Sequence, residues 1–87
     1  MKRYLIKSVS VATQENPNFA GETRVYLHGK HLCTEYKEEY LKFYAKEYGY
    51  NTAVGAAQRY KSLSDTFKWE TEQGFWESTC EIIAVEV

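Results

Sequence analysis

Two histidines and a cysteine lie close together in the sequence, at His28, His31 and Cys33. Imidazole and thiolate groups are the ligands that zinc prefers, and Cys80 is the other thiol of the chain that could complete a set of four. The spacing His-x-x-His-x-Cys matches no closed zinc motif, and a hairpin between His28 and Cys33 would allow them to point away from each other. We therefore predict no metal site and no cofactor, and His28, His31 and Cys33 are the candidate ligands to test.

The same residues suggest a thiol–imidazole pair, because Cys33 lies near both histidines in the sequence. Such a nucleophile also needs a residue that orients the base and donors that stabilise an oxyanion, and no pattern in the sequence supplies them. The five glycines are isolated, so the sequence contains no phosphate-binding loop. The glutamates of the C-terminal third are typical of the solvent-facing side of an amphipathic hairpin. We therefore predict that the protein is not an enzyme.

Eight of the 87 residues are tyrosine, and four of them recur at intervals of four, at Tyr36, Tyr40, Tyr44 and Tyr48. Residues four apart in an α-helix are separated by about 40° around its axis, so this spacing predicts a helix with its aromatic rings along one side. Together with neighbouring apolar residues, the arc would span roughly 200°, twice the roughly 100° that one core requires. Part of the arc must therefore contact the second helix, a second chain or solvent.

Two interpretations of this arc stay open. In the first, the two helices and the sheet share the arc, and the tyrosine hydroxyls reach the surface. In the second, one edge of the arc binds a partner, because tyrosine supplies a wide, stiff contact area at low entropic cost. No basic groove accompanies the rings, which argues against stacking of nucleic-acid bases on them. The second interpretation predicts a partner-binding site made of Tyr36, Lys37, Tyr40, Phe43 and Tyr44.

The hydrophobic pattern predicts an α+β fold, in which a small antiparallel sheet carries two helices in the order β-β-(β)-α-α-β. Strands are predicted at residues 3–13 and 23–28, with a short third strand at residues 32–33 and a long last strand at residues 75–87. We expect the last strand to pair beside the first. Because both of its faces are apolar, we also expect it to be central and covered on each side.

The first helix is predicted to begin after an N-cap at Thr34 and to end at Gly49 in the left-handed conformation. The second helix is predicted to begin after a cap at Asn51 or Thr52 and to run to about Ser64. Its predicted inner face consists of Ala53, Ala56, Ala57, Tyr60 and Leu63. Residues 67–71 fit either the tail of this helix or a strand.

Length and charge limit the possible classes of protein. A chain of 87 residues is expected to form a single domain, residues 1–87. Its apolar runs are short, so we expect neither a membrane span nor a signal peptide. Two cysteines are too few for a disulfide scaffold, which favours a cytoplasmic protein. A net charge of −1 argues against direct binding of nucleic acid.

The two ends of the chain, residues 2–7 and 80–87, enclose a Tyr48-Gly49-Tyr50 break between the predicted helices. In size and layout the sequence resembles small proteins encoded by bacteriophages and mobile elements, of the anti-CRISPR or anti-defence type. This resemblance implies a protein that works in the cytoplasm of a bacterial host, where it binds and sterically blocks a larger host protein or nucleoprotein complex. The alternative is a small structural or assembly domain that forms a homodimer through its aromatic helix or an exposed strand edge.

Overall fold

The computed structural model describes residues 1–87 and contains one four-stranded antiparallel sheet with two α-helices. The strands are β1 (Lys2–Ala12), β2 (Thr23–Gly29), β3 (Leu32–Glu35) and β4 (Trp76–Glu86), in the spatial order β3-β2-β1-β4. The helices are α1 (Leu41–Tyr48), which follows a 3-10 turn at Glu38–Tyr40, and α2 (Ala53–Gln73). The predicted α+β fold is therefore confirmed, and β4 pairs beside β1 as expected.

β4 lies at the edge of the sheet, so the prediction that it is central is wrong. Both of its faces are apolar because the two helices lie on opposite sides of the sheet. Val85 joins the core beneath α1, whereas Cys80, which points to the other face, lies near α2 residues such as Phe67. An edge strand can thus be covered on both faces while one of its backbone edges stays open.

The core on the α1 side is small and consists of Leu5, Leu27, Ala45 and Val85, which are all buried. Gly49 allows the end of α1 to approach β1 closely, because a Cβ there would overlap the carbonyl oxygen of Ala45 and lie 2.9 Å from the Cβ of Arg3. Its backbone is extended, with φ −73° and ψ 154°, so the predicted left-handed conformation is wrong.

The first helix begins later than the tyrosine spacing predicts. Thr34 lies within β3 and does not cap a helix. Backbone pairing with β2 continues past it, since the N–H of Tyr36 donates to the carbonyl oxygen of Val25 at 2.8 Å. Strand pairing therefore prevails over helical spacing at Tyr36, and a continuous four-tyrosine helical ladder does not form.

α2 begins as predicted, because the hydroxyl of Thr52 accepts a hydrogen bond of 2.9 Å from the N–H of Gly55. The helix ends at Gln73, well beyond the predicted Ser64, and Gly74 stops it with a φ of 84°. Residues 67–71 are thus helical. Of the predicted inner face, Ala56, Tyr60 and Leu63 are buried or half-buried, whereas Ala53 and Ala57 are exposed, contrary to the prediction. Neither helix is both long and apolar enough to cross a membrane.

Candidate functional site

The five predicted partner-binding residues lie together at the start of α1 and in the segment before it. We call this set the aromatic surface, and it consists of Tyr36, Lys37, Tyr40, Phe43 and Tyr44. The largest exposed rings are Phe43 and Tyr40, whose exposed fractions are 55% and 47%. Both rings contact Tyr44, with centroid separations of 5.8 Å for Phe43 and 6.0 Å for Tyr40. The exposed rings therefore support each other in a fixed arrangement.

The half-buried members of the aromatic surface attach it to the sheet. Tyr36 and Tyr44 both pack against the core on the α1 side. The Nζ of Lys7 on β1 also lies 4.7 Å from the ring centroid of Tyr36, within the range of a cation–π contact. Exposed rings on such a rigid support lose little conformational entropy when they bind a partner.

Tyr48, the last tyrosine of the predicted ladder, has a structural role at the other end of α1. Its carbonyl oxygen accepts a 2.7 Å hydrogen bond from the N–H of Lys30, in the turn between β2 and β3. Tyr50 then pairs with Tyr4 in an isolated antiparallel bridge. This end of α1 is therefore attached to the sheet and adds no ring to the aromatic surface.

The outer edge of β4 carries backbone groups without partners. The N–H of Val87 donates to the carbonyl oxygen of Met1, which precedes β1, and by the same register the backbone groups of odd-numbered β4 residues point toward β1. The N–H of Ser78 points the other way and donates to the hydroxyl of Thr71 on α2 at 3.2 Å. By the same alternation, N–H and C=O groups point outward without a backbone partner at Cys80, Ile82 and Ala84.

The structure does not assemble the candidate metal ligands. His28 and Cys33 are directly opposite each other on β2 and β3, so they share one face of the sheet and do not point apart. His31 lies in the turn, exposed, with a φ of 55°. Cys80 lies on β4, which is separated by β1 from the strand β2 that carries His28. No group of three or more potential metal ligands forms.

A groove on the α2 side of the sheet was not predicted from the sequence. It has a volume of about 270 Å³ and opens between α2 and the strands β1 and β2. We call it the α2 groove, and it is lined chiefly by Ser8, Ser10, Tyr26, His28, Phe67 and Trp76. The available signal was the alternation of side chains along β1, because Ser8 and Ser10 follow the buried Ile6 on one face of the strand.

Two polar side chains are buried at the base of this groove. Ser8 is 2% exposed, and its hydroxyl shares a 2.9 Å hydrogen bond with the Nε2 of His28, which is 5% exposed. The Nδ1 of His28 is buried without a hydrogen-bond partner. Burial lowers the pKa of His28 below its usual range, and the positive charge of Arg59 on α2 lowers it further. The imidazole at the base of the groove is therefore neutral near pH 7.

The groove is lined by one positively charged residue, Arg24 on β2, and one negatively charged residue, Glu70 on α2. The guanidinium of Arg24 lies over the rings of Phe19 and Trp76, 4.6 Å and 4.9 Å from their centroids, and its Nε is 3.1 Å from a carboxylate oxygen of Glu22. Arg24 thus uses its Nε for Glu22, whereas its two terminal NH2 groups form no hydrogen bond within the protein. The groove offers aromatic side chains and polar groups that can donate and accept hydrogen bonds.

The aromatic surface and the α2 groove lie on opposite faces of the sheet, because α1 and α2 do. Comparison of the chain with protein-family models, with curated proteins and with solved structures finds no match.

Proposed function

We propose that this protein is a non-enzymatic inhibitor of the anti-CRISPR or anti-defence type, which binds a larger bacterial protein or nucleoprotein complex and blocks it sterically. The observation that carries the proposal is the aromatic surface, where Tyr40 and Phe43 are about half exposed in a small protein. Large aromatic side chains dominate the binding energy of many protein interfaces. Exposing two of them side by side lowers solubility, so the arrangement favours a binding role.

The surroundings of the aromatic surface suit binding to a protein. Lys37, Glu38 and Glu39 are exposed in the segment before α1, so both signs of charge lie beside the rings. Charges at the rim of an interface orient the partner and accelerate association more than they add to affinity. The inhibition would be steric. A bound protein of 10.2 kDa covers part of the surface of its target and does not alter the target chemically.

The arrangement of potential nucleophiles supports a function without catalysis. Cys33 lies across from His28, but the Nε2 of that histidine is bonded to Ser8. The Nδ1 of His28 has no carboxylate partner, whereas a catalytic base of this type is normally oriented by one. Neither Cys33 nor Ser8 therefore has the set of neighbours that an acyl-transfer nucleophile requires.

The direct test is a phage infection assay in strains whose CRISPR–Cas or other defence systems restrict a known phage. We expect expression of the protein to restore plaques in at least one strain, and the purified protein to inhibit the corresponding defence complex stoichiometrically. The double variant Tyr40→Ser, Phe43→Ser is expected to bind that complex at least about 30-fold more weakly, since hot-spot aromatics contribute about 2 kcal/mol or more. Inhibition with multiple turnover would contradict the proposal.

A matched control exists on the other helix. Val54 on α2 is 85% exposed and lies outside the aromatic surface, so Val54→Ser replaces an exposed apolar side chain with the same residue at a site away from the rings. We expect this variant to inhibit as well as the original protein. If Val54→Ser and the double variant lose activity equally, the aromatic surface is not the binding site.

The open edge of β4 favours a second candidate function, a homodimer. Two β4 strands could pair antiparallel through the outward groups of Cys80, Ile82 and Ala84, which would extend the sheet to eight strands across a two-fold axis. Ala84→Pro removes an outward N–H that β1 does not use, so the monomer should tolerate it. For a homodimer, light scattering should give twice the monomer mass of 10.2 kDa. Ala84→Pro should reduce the measured mass to that of the monomer, whereas Tyr40→Ser should leave it unchanged.

A further inference from the structure

β4 forms a long edge of the sheet that lacks the usual protection of edge strands. It pairs with β1 without a bulge over its whole length, from Trp76 opposite Ala12 to Glu86 opposite Lys2. Proteins usually protect an edge strand by keeping it short or by placing lysine, proline or a bulge on it. The other edge strand, β3, has four residues, whereas β4 has eleven and contains neither lysine nor proline. The edge of β4 is therefore suited to accept another strand.

The backbone groups that could accept a strand lie in the second half of β4. The N–H of Ser78 is already bonded to the hydroxyl of Thr71 on α2. Beyond it, the N–H and C=O groups of Cys80, Ile82 and Ala84 point outward without a backbone partner. We call residues 80–84 of β4 the open edge. An extended segment that lies antiparallel to the open edge can form backbone hydrogen bonds with all three of these residues.

The charges on the α1 face of β4 indicate what such a segment carries. Side chains of odd-numbered β4 residues lie on this face, as Val85 does, and those of Glu77 and Glu81 are exposed. Neither carboxylate forms an ion pair. Lys7 is directly opposite Glu81 on β1, but its Nζ lies over the ring of Tyr36. Because opposite charges on neighbouring strands attract, a lysine or arginine opposite Glu81 favours binding.

The α2 face of the open edge adjoins a second groove, which lies between α2 and β4 and has a volume of about 330 Å³. It is lined chiefly by Tyr60, Ser64, Phe67, Lys68, Thr79 and Cys80. A side chain opposite Cys80 in an added strand would point toward this groove. The rings of Tyr60 and Phe67 offer it apolar contacts, whereas the exposed Lys68 repels a basic side chain. In strand addition, such pockets for alternate side chains provide specificity.

A second copy of β4 matches these charges poorly. The only charged residues of β4 are Glu77, Glu81 and Glu86, so a second copy supplies no cation. If two β4 strands paired across a two-fold axis at Ile82, Glu81 of one copy would lie diagonally across from Glu81 of the other. Like charges on neighbouring strands are destabilising. The open edge therefore favours a basic strand over its own copy.

We propose that the open edge binds an extended basic segment of another protein, which adds a fifth strand to the sheet with a lysine or arginine opposite Glu81 and an apolar side chain opposite Cys80. No residue of this site belongs to the aromatic surface, so the proposal does not depend on the function proposed above.

Fluorescence anisotropy of a labelled peptide tests the proposal. The probe is the acetylated and amidated peptide Thr-Val-Thr-Val-Thr-Lys-Val-Lys, which in antiparallel register places a lysine opposite Glu81 and a valine opposite Cys80. We expect saturable binding with a Kd below about 1 mM. The same peptide with glutamate in place of both lysines should bind at least about tenfold more weakly. N-methylation of the peptide amides opposite Ile82 and Ala84 should abolish binding, because it removes donors and leaves the charges unchanged.

Variants of the protein locate the site. Ala84→Pro removes an outward N–H and should weaken peptide binding at least about tenfold, whereas the matched control Ala84→Ser keeps this N–H and should bind normally. Glu81→Gln should weaken binding by up to about fivefold, and Glu81→Lys by about tenfold. Glu39→Gln is the control for charge, because Glu39 is exposed in the segment before α1. If Ala84→Pro does not fold, the N-methylated peptide decides whether the backbone edge is used.

Four results would overturn the proposal. The first is the absence of saturable binding of the lysine peptide up to about 1 mM. The second is equal binding of the glutamate peptide or of the N-methylated peptide. The third is loss of peptide binding in Tyr40→Ser, Phe43→Ser, which would place the peptide on the aromatic surface. The fourth is a dimer mass in light scattering that Ala84→Pro reduces to the monomer, which would assign the open edge to a second copy.

Discussion

The burial of His28 predicts that the protein loses stability as the pH falls below neutral. Its imidazole is enclosed by Ser8 on β1 and by Phe67, whose ring centroid is 6.5 Å away on α2. Burial lowers the pKa of His28 in the folded state, and the charge of Arg59 lowers it further. The protonated ring also carries an N–H at both nitrogens, and the Nδ1 of His28 has no acceptor. Acid conditions therefore destabilise the folded state relative to the unfolded state.

The sign and the size of this effect follow from proton linkage. In the unfolded chain His28 titrates near its usual value of about 6.5, so below that pH the unfolded state binds the proton more readily than the folded state. The stabilisation of the folded state by the neutral His28 is complete above the pKa that His28 has in the unfolded chain. It decreases as the pH falls from that value toward the pKa of His28 in the folded state. Between these two values, one histidine changes the free energy of unfolding by at most about 1.4 kcal/mol per pH unit.

Urea unfolding followed by tryptophan fluorescence at several pH values between about 5 and 8 measures this slope. The variant His28→Gln should remove the slope over that range, and His31→Gln should keep it, because His31 is exposed in a turn. The exposed Glu86, whose pKa is lowered by hydrogen bonding to the N-terminal ammonium, titrates below this range. A free energy of unfolding that is flat with pH, or a slope that persists in His28→Gln, would refute the reasoning.

Three further predictions concern stability, and urea unfolding of purified variants checks each one. Leu27→Ala should lower the free energy of unfolding by about 2–5 kcal/mol, because Leu27 is fully buried beneath α1; a loss below about 1 kcal/mol would contradict the assigned core. Thr52→Ala should cost about 1 kcal/mol through the lost N-cap of α2, whereas Thr66→Ala, within the helix, should cost less than about 0.5 kcal/mol. Gly49→Ala should cost about 1–3 kcal/mol, since its Cβ would overlap the carbonyl oxygen of Ala45 and lie 2.9 Å from the Cβ of Arg3, and an unchanged stability would contradict this close approach of residue 49 to both α1 and β1.

The fold was predictable where a local sequence pattern determined the secondary structure and no long-range interaction opposed it. Alternation of apolar residues located the strands, and the Thr52 cap located the start of α2. The end of α2 was predicted too early, at about Ser64, and residues 67–71 fitted a helix or a strand equally, although the sequence between Ala56 and Gln73 contains neither glycine nor proline. A helix that packs along an edge strand needs only a narrow apolar stripe, so its far half resembles a surface segment in sequence.

The prediction failed at Tyr36 because a non-local interaction overrode the local one. Helical spacing favoured a helix from residue 35, but pairing with Val25 on β2 keeps Tyr36 extended. The position of β4 was wrong for a related reason. Apolar side chains on both faces show that both faces are covered, and they do not show whether another strand lies at the outer edge.

The candidate sites differ in how far the sequence could indicate them. The aromatic surface was visible because four of its residues are large rings within a nine-residue segment, from Tyr36 to Tyr44. The α2 groove was not, because its members come from β1, β2, α2 and β4 and meet only through strand register and the placement of α2. No local spacing in the sequence connects Ser8 with His28 or either of them with Phe67.

The placement of the two helices explains how a chain this short can carry two separate sites. α1 covers one face of the sheet near Leu5 and Leu27 and exposes its outer rings, whereas α2 covers the β4 side of the other face and leaves the groove over β2. The aromatic surface and the α2 groove share no lining residue, and the rings of Tyr40 and Phe43 contact only members of the aromatic surface. Energetic effects at sites without shared partners are normally additive. The sheet therefore separates the exposed rings of the aromatic surface from the groove beside α2.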